Sequence, residues 1–281
     1  MLINKTGEIN HMYRERYRLL LPNTMTKRPS IFKQWFEETG NLSAFAGRYL
    51  RDSLRPPYDF GELLRQAFEV GYRSLGLVAI TAFIMGLVIT IQSRPTLVEF
   101  GAESWLPAMV SVSLVREIVP VVTALICAGR VGSGIGAELG SMKVTEQIDA
   151  MEVSGTNPFK YLVVSRITAA TLMLPILVVI ADAVSLWGAY IGVNIKGVVS
   201  YDLYVRQVFD TLEYSDVVPS IIKCVFFGFA IGLIGCFKGY TTTKGTEGVG
   251  MAANAAVVVS SLVVFIIDLL AAQITDLLNL N

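Results

Sequence analysis

Five long apolar stretches dominate the chain after residue 73. The first of them, residues 74–93, holds no charged side chain at all. A helix needs about 20 predominantly apolar residues to cross the hydrocarbon core of a bilayer, and each stretch reaches that length. The pattern therefore predicts an all-α membrane protein with five transmembrane helices, at residues 74–93, 105–128, 158–193, 217–237 and 248–274.

The first 73 residues have a different pattern, polar and basic. Residues 1–30 predict a polar cytoplasmic tail, and residues 31–73 contain two amphipathic segments separated by Pro56 and Pro57. Aromatic and basic positions fall on different faces of these segments, which is typical of helices lying in the membrane interface. Packing of an ordinary amphipathic helix against protein is the alternative.

The distribution of Lys and Arg over the loops predicts the orientation. Basic residues concentrate in the N-terminal region and in loops 129–160 and 238–247, whereas loops 94–104 and 194–216 carry more acidic residues. Cytoplasmic loops of membrane proteins are enriched in Lys and Arg. We therefore expect a cytoplasmic N-terminus and a C-terminus on the outer side of the membrane, with residues 74–275 as the membrane domain.

The composition supports this class and excludes others. Hydrophobic residues make up 53% of the chain and charged residues only 16%, against about 25% charged in soluble proteins. The net charge of zero gives no indication of nucleic-acid binding. Three cysteines in apolar runs without C-x-x-C spacing, and a single histidine, predict neither a disulfide framework nor a metal site.

Recognisable catalytic motifs are absent from the sequence, including H-E-x-x-H, G-x-S-x-G and the Walker A motif. We therefore expect that the chain is not an enzyme and binds no cofactor itself. Any energy for work must come from a partner or from a gradient.

Two adjacent charges, Arg116 and Glu117, lie in the middle of the second span. Charges at this depth are costly and usually face protein or water. Adjacent residues are about 100° apart on a helix, so we expect separate partners. Pro120 removes the hydrogen bond that would satisfy the Arg116 carbonyl. A polar cavity wall and a structural salt-bridge network are both open interpretations.

Three further charged residues lie within the apolar spans, Asp182, Lys223 and Asp268. Lys223 is near the end of span four and can extend towards the interface, so we expect no functional role for it. For Asp268 we expect a helix cap or a hydrogen bond between helices.

Glycines follow the second span in the pattern G-x-G-x-x-A, at Gly132, Gly134 and Ala137. A dinucleotide-binding turn would need a βαβ unit, but the preceding apolar run is a membrane span. Gly132, Gly136 and Gly140 instead form a small-residue row that permits close helix approach. We expect this row to shape a tight junction between the second span and the helix after it.

A short amphipathic helix is predicted at about residues 138–153, between spans two and three. Its apolar face comprises Val144, Ile148 and Met151, and a separate acidic stripe comprises Glu146, Asp149 and Glu152. An anchored helix with an exposed acidic face suits docking of a soluble partner. A solvated charged face is the alternative.

The stretch REIVPVVTALICAGRVGSGIGAELGSMKVTEQIDAMEVSGTNP resembles the signature of the MlaE family, permease subunits of ABC transporters that traffic phospholipid between bacterial membranes. The resemblance lies in the elements R-E-x-x-P, A-G-R, A-E-L-G-x-M and T-E-Q-I-D-A-M. It extends over roughly residues 60–275, whereas residues 1–58 match no pattern.

The resemblance implies a homodimeric permease in the inner membrane of a Gram-negative bacterium. The partners it implies are two copies of a cytoplasmic ATPase, which use ATP and dock on the 138–153 coupling helix, and a periplasmic ring of MCE-domain protein. A small cytoplasmic accessory subunit is a further candidate partner.

The resemblance also implies the site residues. A lipid pocket at the dimer centre would be lined by Ile89, Gln92, Thr96, Leu97, Phe100, Leu114, Arg116 and Glu117. The residues assigned to ATPase coupling are Glu138, Met142, Glu146, Asp149, Met151 and Glu152.

Two other classes of function remain as alternatives. A membrane scaffold would recruit a soluble protein through the acidic helix without transport. An ion-coupled secondary carrier would use Arg116, Glu117 and Asp268, but it predicts an internal repeat that the sequence does not show.

Overall fold

The computed structural model describes residues 31–56, 59–197, 199–243 and 245–277, with side chains from residue 36 onward. The predicted tail at residues 1–30 lies outside the described part of the chain. Every regular element within the described part is helical: α1 (Ile31–Ser53), α2 (Phe60–Glu99), α3 (Glu103–Val144), α4 (Gln147–Val153), α5 (Phe159–Asn194), α6 (Tyr201–Thr211), α7 (Tyr214–Tyr240) and α8 (Gly245–Leu277).

Five of these helices, α2, α3, α5, α7 and α8, are long and apolar enough to cross a membrane. The five-span prediction is confirmed, and the chain is a multi-pass membrane protein. The spans are longer than predicted because polar turns at their ends continue the same helices.

The helix that contains the first span begins before residue 74, the predicted start of the membrane domain. α2 begins at Phe60 and runs for 40 residues, so the second amphipathic segment and the first span form one continuous helix. The Asp59 side chain caps this helix by accepting a hydrogen bond from the Glu62 amide at 3.1 Å. On the buried face, Glu62 accepts a hydrogen bond from the Gln66 side chain at 2.8 Å. This polar pair allows the helix to continue past charged residues.

α1 is one helix, Ile31–Ser53, as its amphipathic pattern predicts. In its last part, Phe45 packs edge-on against Phe159 with ring centroids 5.0 Å apart, and the Arg48 guanidinium lies 4.0 Å from the centroid of the same ring. The Tyr49 hydroxyl is 3.1 Å from that of Thr168. This part of α1 therefore packs on protein, and its interfacial position stays a prediction.

α3 is continuous through the glycine-rich stretch, where the sequence predicts a junction. It contains two π-helical turns, Leu114–Ile118 and Ala128–Gly132, and then runs as α-helix from Ser133 to Val144. Glycine is a poor helix former in isolation, so packing must hold this segment helical.

The row of small residues on α3 makes that packing possible. A Cβ on Gly136 would lie 3.4 Å from Ala252 and Ala256 of α8. On α7, a Cβ on Gly239 would lie 2.8 Å from the Gly136 carbonyl, closer than side-chain atoms pack. The predicted role of the row in close helix approach is confirmed, with α7 and α8 as the neighbours.

α2 and α5 make the other close backbone contact. A Cβ on Gly86 would lie 1.9 Å from the Ser185 carbonyl oxygen, and one on Gly188 would lie 2.3 Å from the Phe83 carbonyl oxygen. Only glycine fits at these two crossings. The adjoining core is built from apolar residues of several helices, among them Val78, Leu114 and Tyr204.

α6 is an extra helix between spans three and four that the sequence patterns did not indicate. Ser200 caps it, accepting from the Leu203 amide at 3.4 Å. Tyr204 and Val208 are buried, and the Tyr204 hydroxyl donates to the Leu186 carbonyl at 2.9 Å. Burial raises the pKa of Tyr204, so this phenol remains a hydrogen-bond donor.

Candidate functional site

A π-helical turn positions the two charges of the second span. The Val119 amide donates to the Leu114 carbonyl five residues earlier, within the turn Leu114–Ile118 that carries Arg116 and Glu117. Pro120 follows at once and has no amide hydrogen to continue the regular α-helical pattern. Single π-turns of this kind concentrate at functional sites.

Lys223 of α7 is the centre of the charge cluster. Its side chain is only 4% exposed, and its Nζ donates to Glu117 at 2.6 Å and to Asp268 at 3.0 Å. Three spans, α3, α7 and α8, therefore meet at one ammonium group. The expectation that Lys223 extends towards the interface is wrong, because this side chain is buried between two carboxylates. The hydrogen bond between helices expected for Asp268 is confirmed.

Arg116 lies on the same face but pairs separately, as expected. One of its guanidinium nitrogens is 3.6 Å from Asp216, which also accepts from the Glu213 amide at the start of α7. The neighbouring Ser220 hydroxyl donates to the Val115 carbonyl at 2.9 Å. These contacts fix the π-turn of α3 against the first turns of α7.

The exposure of the side chains in the cluster increases from Lys223 to Glu117. Lys223 is almost fully enclosed, Asp268 is 22% exposed and Glu117 is 41% exposed. Lys223 and Glu117, together with Arg116, Ser215 and Thr275, line a small polar crevice. The crevice has a volume of about 10 Å³, so a charged group larger than water could pair only with the partly exposed side chains at its edge, such as Glu117.

Asp182 of α5 is a further acidic side chain within the spans, and it is partly buried. Its Oδ1 is buried and has no hydrogen-bond partner among the described residues. No motif of the sequence assigns a role to this residue.

The remaining residues predicted to contact lipid divide by exposure. Leu114 is fully buried in the protomer core, so the prediction that it lines a pocket does not fit its position. Ile89 and Leu97 are partly buried against the same core. The exposed members of the set are Gln92, Thr96 and Phe100.

Arg94 is a residue near this surface that no sequence motif indicates. At the end of the first span it donates to the Val193 carbonyl at 3.0 Å and to the Lys196 carbonyl at 2.7 Å, and it pairs with Glu103. It therefore connects the ends of spans one and three with the start of span two.

The predicted coupling helix at 138–153 is two helices. α3 ends at Val144, and α4 begins at Gln147 after Glu146, which has a left-handed backbone with φ of 58°. A non-glycine residue in this conformation cannot continue an α-helix. The Lys143 ammonium bridges the break to Asp149 at 2.7 Å.

The residues predicted for coupling occupy both sides of this break. Ile148 is buried, while Met142 and Met151 are half-buried. Glu146, Asp149 and Glu152 are exposed. The acidic stripe is therefore on the surface.

Glu138, which the family resemblance assigns to ATPase coupling, also forms an ion pair within the chain that the sequence patterns did not indicate. The Arg166 guanidinium donates to it at 2.8 Å and to the Leu162 carbonyl at 2.9 Å, and the Arg166 side chain is 1% exposed. This ion pair joins α3 to α5 just before the coupling segment. The sequence signal for this ion pair was Arg166 itself, a single arginine within the apolar third span.

The fold and the cluster define a class: a helical, multi-pass membrane protein with paired charges between spans and an acidic segment outside them. The sequence profile of the family described as Permease MlaE matches residues 63–274. A probable ABC transporter permease of Rickettsia felis is 38% identical over 256 residues, covering 91% of this chain and 98% of its own.

Two further relatives agree. A probable ABC transporter permease of Synechocystis is 37% identical over 232 residues, 83% of this chain and 88% of its own. The intermembrane phospholipid transport system permease protein of Haemophilus influenzae is 36% identical over 217 residues, which cover 76% of this chain and 83% of its own. The chain belongs to the MlaE family of ABC transporter permeases.

Proposed function

We propose that this chain is the membrane subunit that moves phospholipid between the inner and outer membranes of a Gram-negative bacterium. The observation that carries the proposal is the match over 83% of the length of the H. influenzae permease, whose name specifies intermembrane phospholipid transport. The cluster around Lys223 adds a chemical reason, because the partly exposed Arg116 and Glu117 can pair with the charges of a phospholipid headgroup.

The proposed transporter is an assembly. Two copies of this chain form the membrane core, two copies of a cytoplasmic ATPase hydrolyse ATP, and a ring of MCE-domain protein receives or delivers lipid on the periplasmic side. A small cytoplasmic accessory subunit completes the list of proposed partners. The N-terminus is cytoplasmic and the C-terminus periplasmic.

The ATPase acts through the segment around α4. The half-buried Met142 and Met151 can pack against a partner, and the exposed acidic side chains can pair with its basic residues. Glu138 contributes from the end of α3, because its ion pair with the buried Arg166 connects this segment to span three.

Reconstitution tests the proposal. The purified chain is combined with its ATPase in donor vesicles, and transfer of fluorescent phospholipid to acceptors bearing the MCE-domain protein is followed with and without ATP. We expect transfer that depends on nucleotide and falls at least tenfold in Glu117→Lys. A matched control is Glu247→Lys, an exposed acid at the start of α8.

The alternatives give different outcomes. A scaffold would bind the ATPase without lipid transfer, and a secondary carrier would respond to an ion gradient without ATP. Either result, or full transfer by Glu117→Lys, contradicts the proposal.

A further inference from the structure

A groove between the first part of α2 and the last part of α3 has the features of an anion-binding site. It encloses about 470 Å³. It is separate from the Lys223 cluster, since Arg130 on its rim is 14 residues beyond Arg116, roughly 21 Å along a helix.

Both walls of the groove follow helical spacing. On α2, Gln66, Val70 and Ser74 recur every four residues and form a buried floor. The neighbouring row on α2 is charged and more exposed, and carries Arg65 and Arg73 on the rim.

The α3 wall repeats the arrangement. Val131 and Ile135 add apolar side chains to the buried floor, and the adjacent row carries Arg130, Gly134 and Glu138. Nothing lies within 4 Å of where a Gly134 side chain would begin, so the groove is open at this point.

The charges leave the groove positive. Its acidic members are already paired, Glu69 with Arg73 at 2.7 Å and Glu138 with the buried Arg166 at 2.8 Å. Arg65 is paired with Glu62 at 3.1 Å, so the positive charge of the groove comes from Arg130. Arg130 has no ion-pair partner among the described residues. An arginine facing such a groove is suited to bind a phosphate through two parallel hydrogen bonds.

A second, independent observation comes from the floor. Ser74 is fully buried, lines the groove, and its hydroxyl has no hydrogen-bond partner in the described part of the chain. Buried hydroxyls are usually hydrogen-bonded, so an unpartnered one at the base of a positive groove points to a ligand that accepts from it.

We propose that this groove binds a phosphate-bearing anion, with Arg130 holding the phosphate and the Ser74 hydroxyl donating from the floor. The exposed Phe68 and Tyr72 on the same helix lie beside the rim, which favours the headgroup of a phospholipid over free phosphate. The proposal does not depend on transport, because binding needs neither the ATPase nor a second membrane.

The test measures binding by the full chain, purified in a neutral maltoside detergent. Inorganic phosphate and lysophosphatidylglycerol are titrated separately by calorimetry. We expect Arg130→Gln to weaken binding about tenfold, the value for losing one charge-assisted contact. Gly134→Leu, which fills the opening, should weaken it at least as much.

Two control variants match these changes outside the groove. Arg51→Gln removes an exposed arginine of α1, and Gly129→Leu adds the same side chain to α3 where nothing lies within 4 Å. Neither should alter binding.

The two probes identify the source of the phosphate. Binding of the lipid alone, with the expected variant pattern, assigns a headgroup site, and binding of both or of phosphate alone assigns a site for the phosphate group itself. The proposal is overturned if neither probe binds, if Arg130→Gln and Gly134→Leu bind like the parent, or if the controls lose binding equally.

Discussion

Lys223 shows how one residue can hold several spans together. Its ammonium group contacts carboxylates from two other helices, and its own side chain is 4% exposed. Removing the lysine leaves Asp268 and Glu117 without their partner inside the protein. Breaking a buried ion pair in this way costs more than the pair itself contributes, because the remaining charge is poorly solvated.

A double-mutant cycle on Lys223 and Asp268 tests this at the residue scale. We expect Lys223→Met to lower the free energy of unfolding by about 3 kcal/mol. Adding Asp268→Asn should recover part of that loss, giving a coupling energy of about 1–2 kcal/mol. Thermal unfolding in detergent measures both.

The pair Arg116 and Asp216 provides the matched comparison. Its atoms are 3.6 Å apart and the arginine is 30% exposed, so its coupling energy should stay below about 1 kcal/mol. Equal coupling energies in the two pairs would show that burial does not determine the energy of these ion pairs.

The charges of the cluster could be found in the sequence, but their pairing could not. Arg116, Glu117 and Asp268 stand out because charges are costly in apolar spans. Lys223 was misjudged because the sequence gives its distance from the end of its own helix and not its distance from other helices. Arg94 and Arg166 were missed for the same reason, since their partners are backbone carbonyls and acids remote in the chain.

At the scale of helices, close backbone contact between α2 and α5 depends on glycine. Gly86→Ala would bring a methyl group to 1.9 Å from the Ser185 carbonyl oxygen, so the helices must separate. We expect a loss of about 1–3 kcal/mol of unfolding free energy. Thermal unfolding of the purified protein measures the change.

Gly76→Ala is the control on the same helix. Nothing lies within 4 Å of its added methyl group, and alanine favours a helix over glycine. This variant should be unchanged or more stable, by up to about 1 kcal/mol. If both alanines had the same effect, close approach would not be what holds α2 against α5.

The acidic segment after α3 provides the second prediction at this scale. Glu146 and Asp149 are exposed on either side of the start of α4. Reversing both charges, in Glu146→Lys with Asp149→Lys, should abolish co-purification of the ATPase because like charges would then meet. Asp202→Lys with Asp210→Lys, on exposed positions of α6, should retain the ATPase. If both double variants retain the ATPase, the proposal that it docks on the acidic segment is contradicted.

The five spanning helices were predictable in this chain, whereas the extra helix α6 and the helix ends were not. Apolar length alone indicated the five spans. The start of α2 at Phe60 depends on a buried Glu62–Gln66 hydrogen bond, which hydropathy does not register. The break at Glu146 depends on a backbone conformation that glutamate rarely adopts. Helical periodicity does not indicate this conformation, so the coupling helix was predicted without the break.

At the scale of the whole molecule, the orientation in the membrane decides what each surface meets. A single span, α5, separates the loop after α4 from the helix α6, so the two lie on opposite sides of the membrane. The basic residues favour a cytoplasmic location for the first. The charge cluster near the start of α7 is then nearer the periplasm, and the groove at Arg130 nearer the cytoplasm.

Cysteine labelling in cells tests this orientation. The three native cysteines are buried, so the parent chain should give little background with a membrane-impermeant maleimide. In cells with a permeabilised outer membrane, Asp210→Cys on α6 should be labelled at once. Thr156→Cys, in the loop after α4, should be labelled only after the inner membrane is opened. Both positions are exposed, so access of the reagent, and not burial, decides the result. The reverse pattern would place α4 in the periplasm, where no cytoplasmic ATPase could reach it, and the proposed coupling would fail with it.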